Sequence, residues 1–170
     1  MAKKKRTNNL TQIVTAAAVL LGLVAIAMIF VPTVTVKGII NTYTFTGLNL
    51  AFGCNLENTS TAIFEFSFMN LLTYILALAG TVVALMGLIK NSFASGLFRI
   101  IAAACFIVSG VFFFMSINFC IPNTTASNIT KFFSGDIKSA GTLAVGAYIG
   151  GITAIIAGVC ELLSVFVFNK

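Results

Sequence analysis

Glu161 is the residue that most needs a chemical explanation, because it stands alone as the acid within an otherwise apolar stretch, residues 142–168. A carboxylate in such surroundings is costly to keep ionised without a partner, so it marks either a proton or cation site or an ion pair. Arg99 and Lys90 fall at the same end of neighbouring apolar stretches, and the pairing read from the sequence joins Glu161 to Arg99 or to Lys90. Acid–base hydrolysis needs two carboxyl groups facing one another, whereas Glu57, Glu65, Asp136 and Glu161 are scattered over different segments. The absence of histidine removes Ser–His and Cys–His nucleophilic pairs and His-based zinc sites. No glycine-rich phosphate loop follows a strand pattern. The expectation is a protein that is no enzyme and takes no metal or cofactor.

The cysteines divide into two sets. Cys54, beyond the apolar stretches, and Cys120, at the outer end of the third, fall on one side, where an oxidising compartment would permit a disulfide between them. Cys105 and Cys160 sit at similar depth inside apolar stretches, where a thiol serves as a small apolar filler. Asn70 and Asn118 read as hydrogen-bonded residues at helix ends. Asn58, Asn123 and Asn128 head Asn-x-Ser/Thr triplets on the same side as Cys54, which matter only in a eukaryotic secretory pathway.

The elements that must position these groups are set by lipid. With 59% hydrophobic and 8% charged residues and a mean hydropathy of +1.07, the chain carries more apolar surface than 170 residues can bury from water. A hydrocarbon layer about 30 Å thick needs roughly 20 apolar helical residues, and the stretches 10–31, 68–89, 97–120 and 142–168 meet that length without an internal proline. Continuous apolarity excludes barrel strands, which alternate. The fold class is therefore a membrane all-α, four-helix transmembrane bundle, with the whole chain, 1–170, as one membrane domain. A cleaved signal peptide is the alternative for the first stretch, given the basic start and Ala25, Ile26 and Ala27; the apolar run continues to Val31, which suits a span.

Basic residues near span ends stay on the cytoplasmic side. Lys3, Lys4, Lys5, Arg6, Lys90, Arg99 and Lys170 share one side, against Lys37, Lys131 and Lys138 on the other. This predicts a multi-pass protein of the cell membrane with both termini in the cytoplasm. The net charge of +6 is mostly this signal, and the cluster at residues 3–6 suits anionic lipid. Nucleic acid is excluded as a partner, since no basic stripe interleaved with aromatics is present.

The external connection 32–66 holds the clearest period-two pattern. Val34 and Val36 alternate with Thr33 and Thr35, Tyr43 and Phe45 with Thr42, Thr44 and Thr46, and Leu48, Leu50 and Phe52 with Gly47, Asn49 and Ala51. Three strands in a small antiparallel meander are expected, with an apolar face on the bundle. Ser67 is the expected N-cap of the second span. The second connection, 121–141, opens with Pro122 and predicts at most a short amphipathic stretch near 129–133.

Small residues recur at helical spacing in every span: Thr15, Ala18, Gly22 and Ala25; Thr73, Ala77, Gly80, Ala84 and Gly87; Ala102, Cys105 and Ser109; Gly146, Gly150, Ala154 and Gly158. Such faces let helix backbones approach in lipid. The last row, with Gly151 beside it, predicts the tightest packing, against other helices of the same bundle or, alternatively, against a second copy.

The order of parts (helix, strand-rich loop, helix, short inner loop, helix, shorter external loop, helix) resembles the claudin-like four-span arrangement. Gly47, Leu48 and Asn49 followed by Cys54 are similar to the Gly-Leu-Trp and cysteine signature of that loop, although this chain has no Trp and no second cysteine there. The segment from Gly47 to Gly53 and the run from Phe66 to Tyr74 also resemble small four-span bacterial membrane proteins, a likeness that implies a topology and no activity. The functional expectation is a scaffold, interaction or accessory subunit whose partners are the bilayer and another membrane protein or a second copy in a homo-oligomer. A small transporter or channel component using Glu161 is the alternative.

Overall fold

The structure, a computed structural model, describes residues 2–37, 42–55, 62–89, 93–123 and 140–166. Glu57, Asn58, Lys90, Asn128, Lys131, Asp136, Lys138, Lys170 and the stretch 129–133 lie outside the described residues.

Four long helices form the body: α1 (Ala2–Ala27), α3 (Phe68–Ile89), α4 (Phe93–Met115) and α5 (Val145–Phe166), with a short helix α2 (Gly47–Phe52) in the first connection. Each long helix carries an apolar span of 21 or 22 residues, the first running on from α1 through a 3-10 turn, Met28–Phe30, about 32 Å at 1.5 Å rise per residue, which matches a hydrocarbon core. The protein is a four-helix membrane bundle. Going round the bundle the order is α1, α3, α4, α5, and back to α1, so every neighbouring pair is antiparallel. Ile13, Leu20, Leu78, Leu97 and Ile152 point away from the bundle, an apolar perimeter suited to lipid and too continuous for water.

The interior is built from the small-residue rows. Thr15, Ala18, Ala25, Ala77, Ala84, Ala102 and Ala154 are fully enclosed. Two large side chains fill the space those rows leave. Phe106 and Phe113 stand one above the other on α4, both with no exposed surface. Phe106 lies against the positions where Gly22 of α1 and Gly80 of α3 would carry a Cβ, and Phe113 lies against Gly150 of α5. The Phe113 ring also meets Tyr74 edge-on, with centroids 5.2 Å apart.

Several hydroxyls inside the spans are satisfied by their own helix, as lipid favours. Thr73, Thr81 and Thr153 each donate to the carbonyl four residues earlier, at 3.1, 2.8 and 2.7 Å. The α3–α4 hairpin is tied at three levels: Ser67 Oγ donates to Phe119 O at 2.7 Å, Ser109 Oγ to Thr73 O at 2.8 Å and Arg99 Nη2 to Gly87 O at 3.3 Å. Ser67 Oγ also accepts from Asn70 N at 3.3 Å, so it is the N-cap that the sequence predicts.

At one end of the bundle sits a β-rich cap. Strand β1 (Pro32–Lys37) pairs antiparallel with β2 (Thr42–Thr46), and on its other side with β5 (Gly141–Leu143), giving the order β2-β1-β5. A two-stranded hairpin, β3 (Cys54–Asn55) with β4 (Ala62–Phe64), completes the cap. Val34, Val36, Phe45, Leu50, Ile63, Phe64 and Cys120 form its core, in which Phe45 and Phe64 pack edge to face at 4.8 Å.

Two expectations are corrected here. The run from Gly47 to Phe52 is helix α2 rather than a third strand: Thr46 Oγ1 accepts from Asn49 N at 3.3 Å as an N-cap, and Gly47, Leu50 and Ala51 are the buried residues. Their spacing of three and four residues is helical, and six residues of alternating pattern do not by themselves separate the two structures. The sheet also is not confined to the first connection. Its third strand is β5, from the second connection, pairing Val34 with Leu143, Thr35 with Thr142 and Val36 with Gly141. The last helix consequently begins at Val145 rather than at residue 142.

Candidate functional site

Glu161 lies inside the bundle at the end opposite the cap, with no exposed surface, and Arg99 is 6% exposed. They come from α5 and α4, neighbours in the ring. The Arg99 stem runs over Gly87: a Cβ there would sit 3.2 Å from Arg99 Cγ. The missing side chain on α3 therefore makes room for the guanidinium to bend inward and reach the Gly87 carbonyl. On the other side Ser164, one turn beyond Glu161, donates to the Glu161 carbonyl at 2.7 Å and stands 3.4 Å from Oε2. Thr15 of α1 brings a third buried side chain next to the carboxylate.

The two charges anticipated as a pair are thus brought into electrostatic range of each other. They do not complete a direct bridge. Glu161 Oε1, Arg99 Nε and Thr15 Oγ1 are each buried without a hydrogen-bond partner. They lie on α1, α4 and α5, with Thr15 beside the Glu161 carboxylate, and buried polar atoms without a partner are unusual in a folded interior.

The glycine row Gly146, Gly150, Ala154 and Gly158 is consumed within the bundle. Gly146 faces the Val31 and Pro32 carbonyls, Gly150 the Phe113 ring, and Gly158 the Ala103 carbonyl and Ile107, while Ala154 is fully buried. That row is not available as a surface for a second copy. Gly110, which the small-residue pattern omitted, faces the Gly151 carbonyl at 3.0 Å; its position one residue after Ser109 was the available signal.

Cys54 and Cys120 do come together in the cap core, Cys120 inside it and Cys54 against its edge, but all four cysteines are thiols. Cys120 Sγ donates to Ser116 O at 3.3 Å and receives Asn70 Nδ2 at 3.9 Å. Burial holds the Cys54 thiol above its ordinary pKa, which suppresses the thiolate that any nucleophilic role needs. Cys105 and Cys160 are half-buried on α4 and α5, and Cys160 packs against the core around Phe106. Asn70 is buried and Asn118 exposed.

Between cap and bundle, Thr33, Asn70, Thr73, Tyr74 and Ser116 bring polar groups together, but the space they line is too small for a water molecule. A shallow open groove runs past Phe52, Asn55, Glu65 and Phe66 on the side of the cap. Among the described residues no group of three His, Cys, Asp or Glu side chains is placed to hold a metal ion.

No protein-family model matches the chain, and no curated protein matches it.

Proposed function

We propose that the chain is a non-enzymatic membrane platform, a scaffold or accessory subunit, whose bundle holds the cap at one membrane face and whose β2 edge pairs with a strand of another membrane protein or a second copy. The observation that carries this reading is the state of β2. Among the described residues it is paired on one side only, by β1, and Thr42 and Thr44 are exposed along it. An unpaired strand edge is a template for strand addition. A photo-crosslinking residue at Thr44, activated in intact membranes, should yield a discrete crosslinked species. Recovery of monomer alone would end the proposal.

The distribution of basic residues supports placing the cap outside the cell and both termini in the cytoplasm. In a Cys54→Ser background, an impermeant maleimide should label Lys37→Cys in intact cells and reach Lys4→Cys only after permeabilisation. The reverse pattern would invert the orientation.

A second reading, a small transporter or channel component, is favoured by the unpartnered Oε1 of Glu161. Against it, Phe106 and Phe113 fill the axis between Glu161 and the cap. Flux through reconstituted protein that Glu161→Gln abolishes would revive it; no flux, or flux unchanged by the substitution, excludes it.

A further inference from the structure

The apolar perimeter of the bundle does not stop where the spans end. Helix α2 turns Gly47, Leu50 and Ala51 inward and leaves Leu48 and Phe52 exposed, one turn apart. The Phe52 ring meets that of Phe66 with centroids 6.4 Å apart. Phe66 and Phe68 are both exposed, with Ser67 buried between them, and Phe68 opens the second span. The patch therefore joins α2 to the lipid-facing side of α3, and a contiguous exposed apolar surface of this kind marks a contact.

Depth decides what covers it. Ala51 O accepts from Ser67 N, immediately before α3, at 3.0 Å. A Cβ on Gly47 would lie 3.1 Å from Ile29 Cα, in the last turn of the first span, Leu10–Phe30. Helix α2 is thus level with the outer ends of two spans rather than raised above them. The exposed positions of β2, by contrast, include Thr42 and Thr44, as a strand facing water requires. A helix with leucine and phenylalanine at its exposed positions fits the boundary between headgroups and acyl chains, where amphipathic helices lie in the membrane plane. We infer that Leu48, Phe52 and Phe66 form an interfacial anchor, seated among the acyl chains just below the headgroups of the leaflet on the cap side. Asn55 and Glu65, exposed beside Phe52 and Phe66 along the shallow groove, mark the level at which the patch meets headgroups. Helix α2 carries no charged residue, so the attraction is apolar and a zwitterionic lipid suffices. The anchor is independent of what the β2 edge binds.

The chain has no tryptophan, so one introduced at an exposed position reports alone. Full-length Leu48→Trp, Phe52→Trp and Phe66→Trp, each in phosphatidylcholine nanodiscs, should emit at shorter wavelength than Lys37→Trp, which lies at the far end of β1. Lipid brominated near the headgroup end of its acyl chains should remove most of the emission of the three patch variants, and aqueous iodide little of it. Lys37→Trp should show the opposite pattern. Iodide quenching of the patch variants as strong as that of Lys37→Trp would place the patch in water and overturn the anchor. Shielding of the patch variants from both quenchers would also overturn it, because protein would then cover the patch.

Discussion

The single residues that matter most are glycines and what lies opposite them. A methyl group on Gly150 would fall 2.6 Å from the Phe113 ring, so Gly150→Ala should destabilise the detergent-solubilised protein by about 1–3 kcal/mol through overpacking. Much of the loss should return in the Gly150→Ala/Phe113→Leu double variant, as measured by thermal or denaturant unfolding. Gly96→Ala is the control: nothing lies within 4 Å of its Cβ position, and in a helix the change should be neutral or stabilising by up to about 1 kcal/mol. For the buried charges, Arg99→Leu and Glu161→Leu alone should each cost roughly 3–5 kcal/mol, because each strands the opposite charge, while the double variant costs clearly less than their sum. Additive losses would show that the two do not interact. The Cys54 thiol, held above its ordinary pKa by burial, should react with iodoacetamide more slowly than an exposed cysteine near neutral pH, its rate rising with alkali through a displaced midpoint. At this scale the glycine rows were legible because small residues at helical spacing have few other meanings in lipid. Phe106 and Phe113 were not, because an apolar residue in a span reads alike whether it faces lipid or the axis.

Elements were legible where a long period was available and lost where the segment was short. The four spans follow from length and apolarity, and Ser67 from its position before the second. Ser67→Ala should be the more damaging of the two cap substitutions, at about 1–3 kcal/mol, since it removes a donor to Phe119 O and leaves a buried amide without its acceptor. Thr46→Ala, which removes one contact at the start of α2, should cost about 1 kcal/mol. Denaturant unfolding of the two variants side by side decides the order. Strand β5 escaped notice because three residues carry no usable period, and its pairing is dictated by a partner distant in sequence. Its register can be checked directly. Opposed residues of an antiparallel pair have Cα atoms about 4.5–5.5 Å apart, within disulfide range, so Thr35→Cys/Thr142→Cys in a background lacking the native cysteines should oxidise to a bridged monomer. Thr35→Cys with a cysteine at Ala144 should bridge poorly; equal bridging by both pairs would refute the register.

For the whole molecule, the ring of antiparallel helices and the cap are one unit. Thr33 is the extra residue of a bulge in β1 between Pro32 and Val34, and its carbonyl accepts from Ala144 N at 2.8 Å, immediately before α5. Residues 121–123 meanwhile extend the β3–β4 hairpin: Glu65 N donates to Ile121 O at 2.9 Å and Asn123 N to Ile63 O at 3.0 Å. Both connections are therefore woven into the same cap. This unity was not legible in the chain, which shows each connection separately and gives no local sign that they share a sheet.

That weave orders events during biosynthesis. Until the ribosome has delivered residues 141–143, β1 has an open flank, and its closure draws in the segment that leads into the final helix. Closure of the cap thus waits on a segment that follows three of the four long helices, and a chain released before residue 141 would leave that flank of β1 bare.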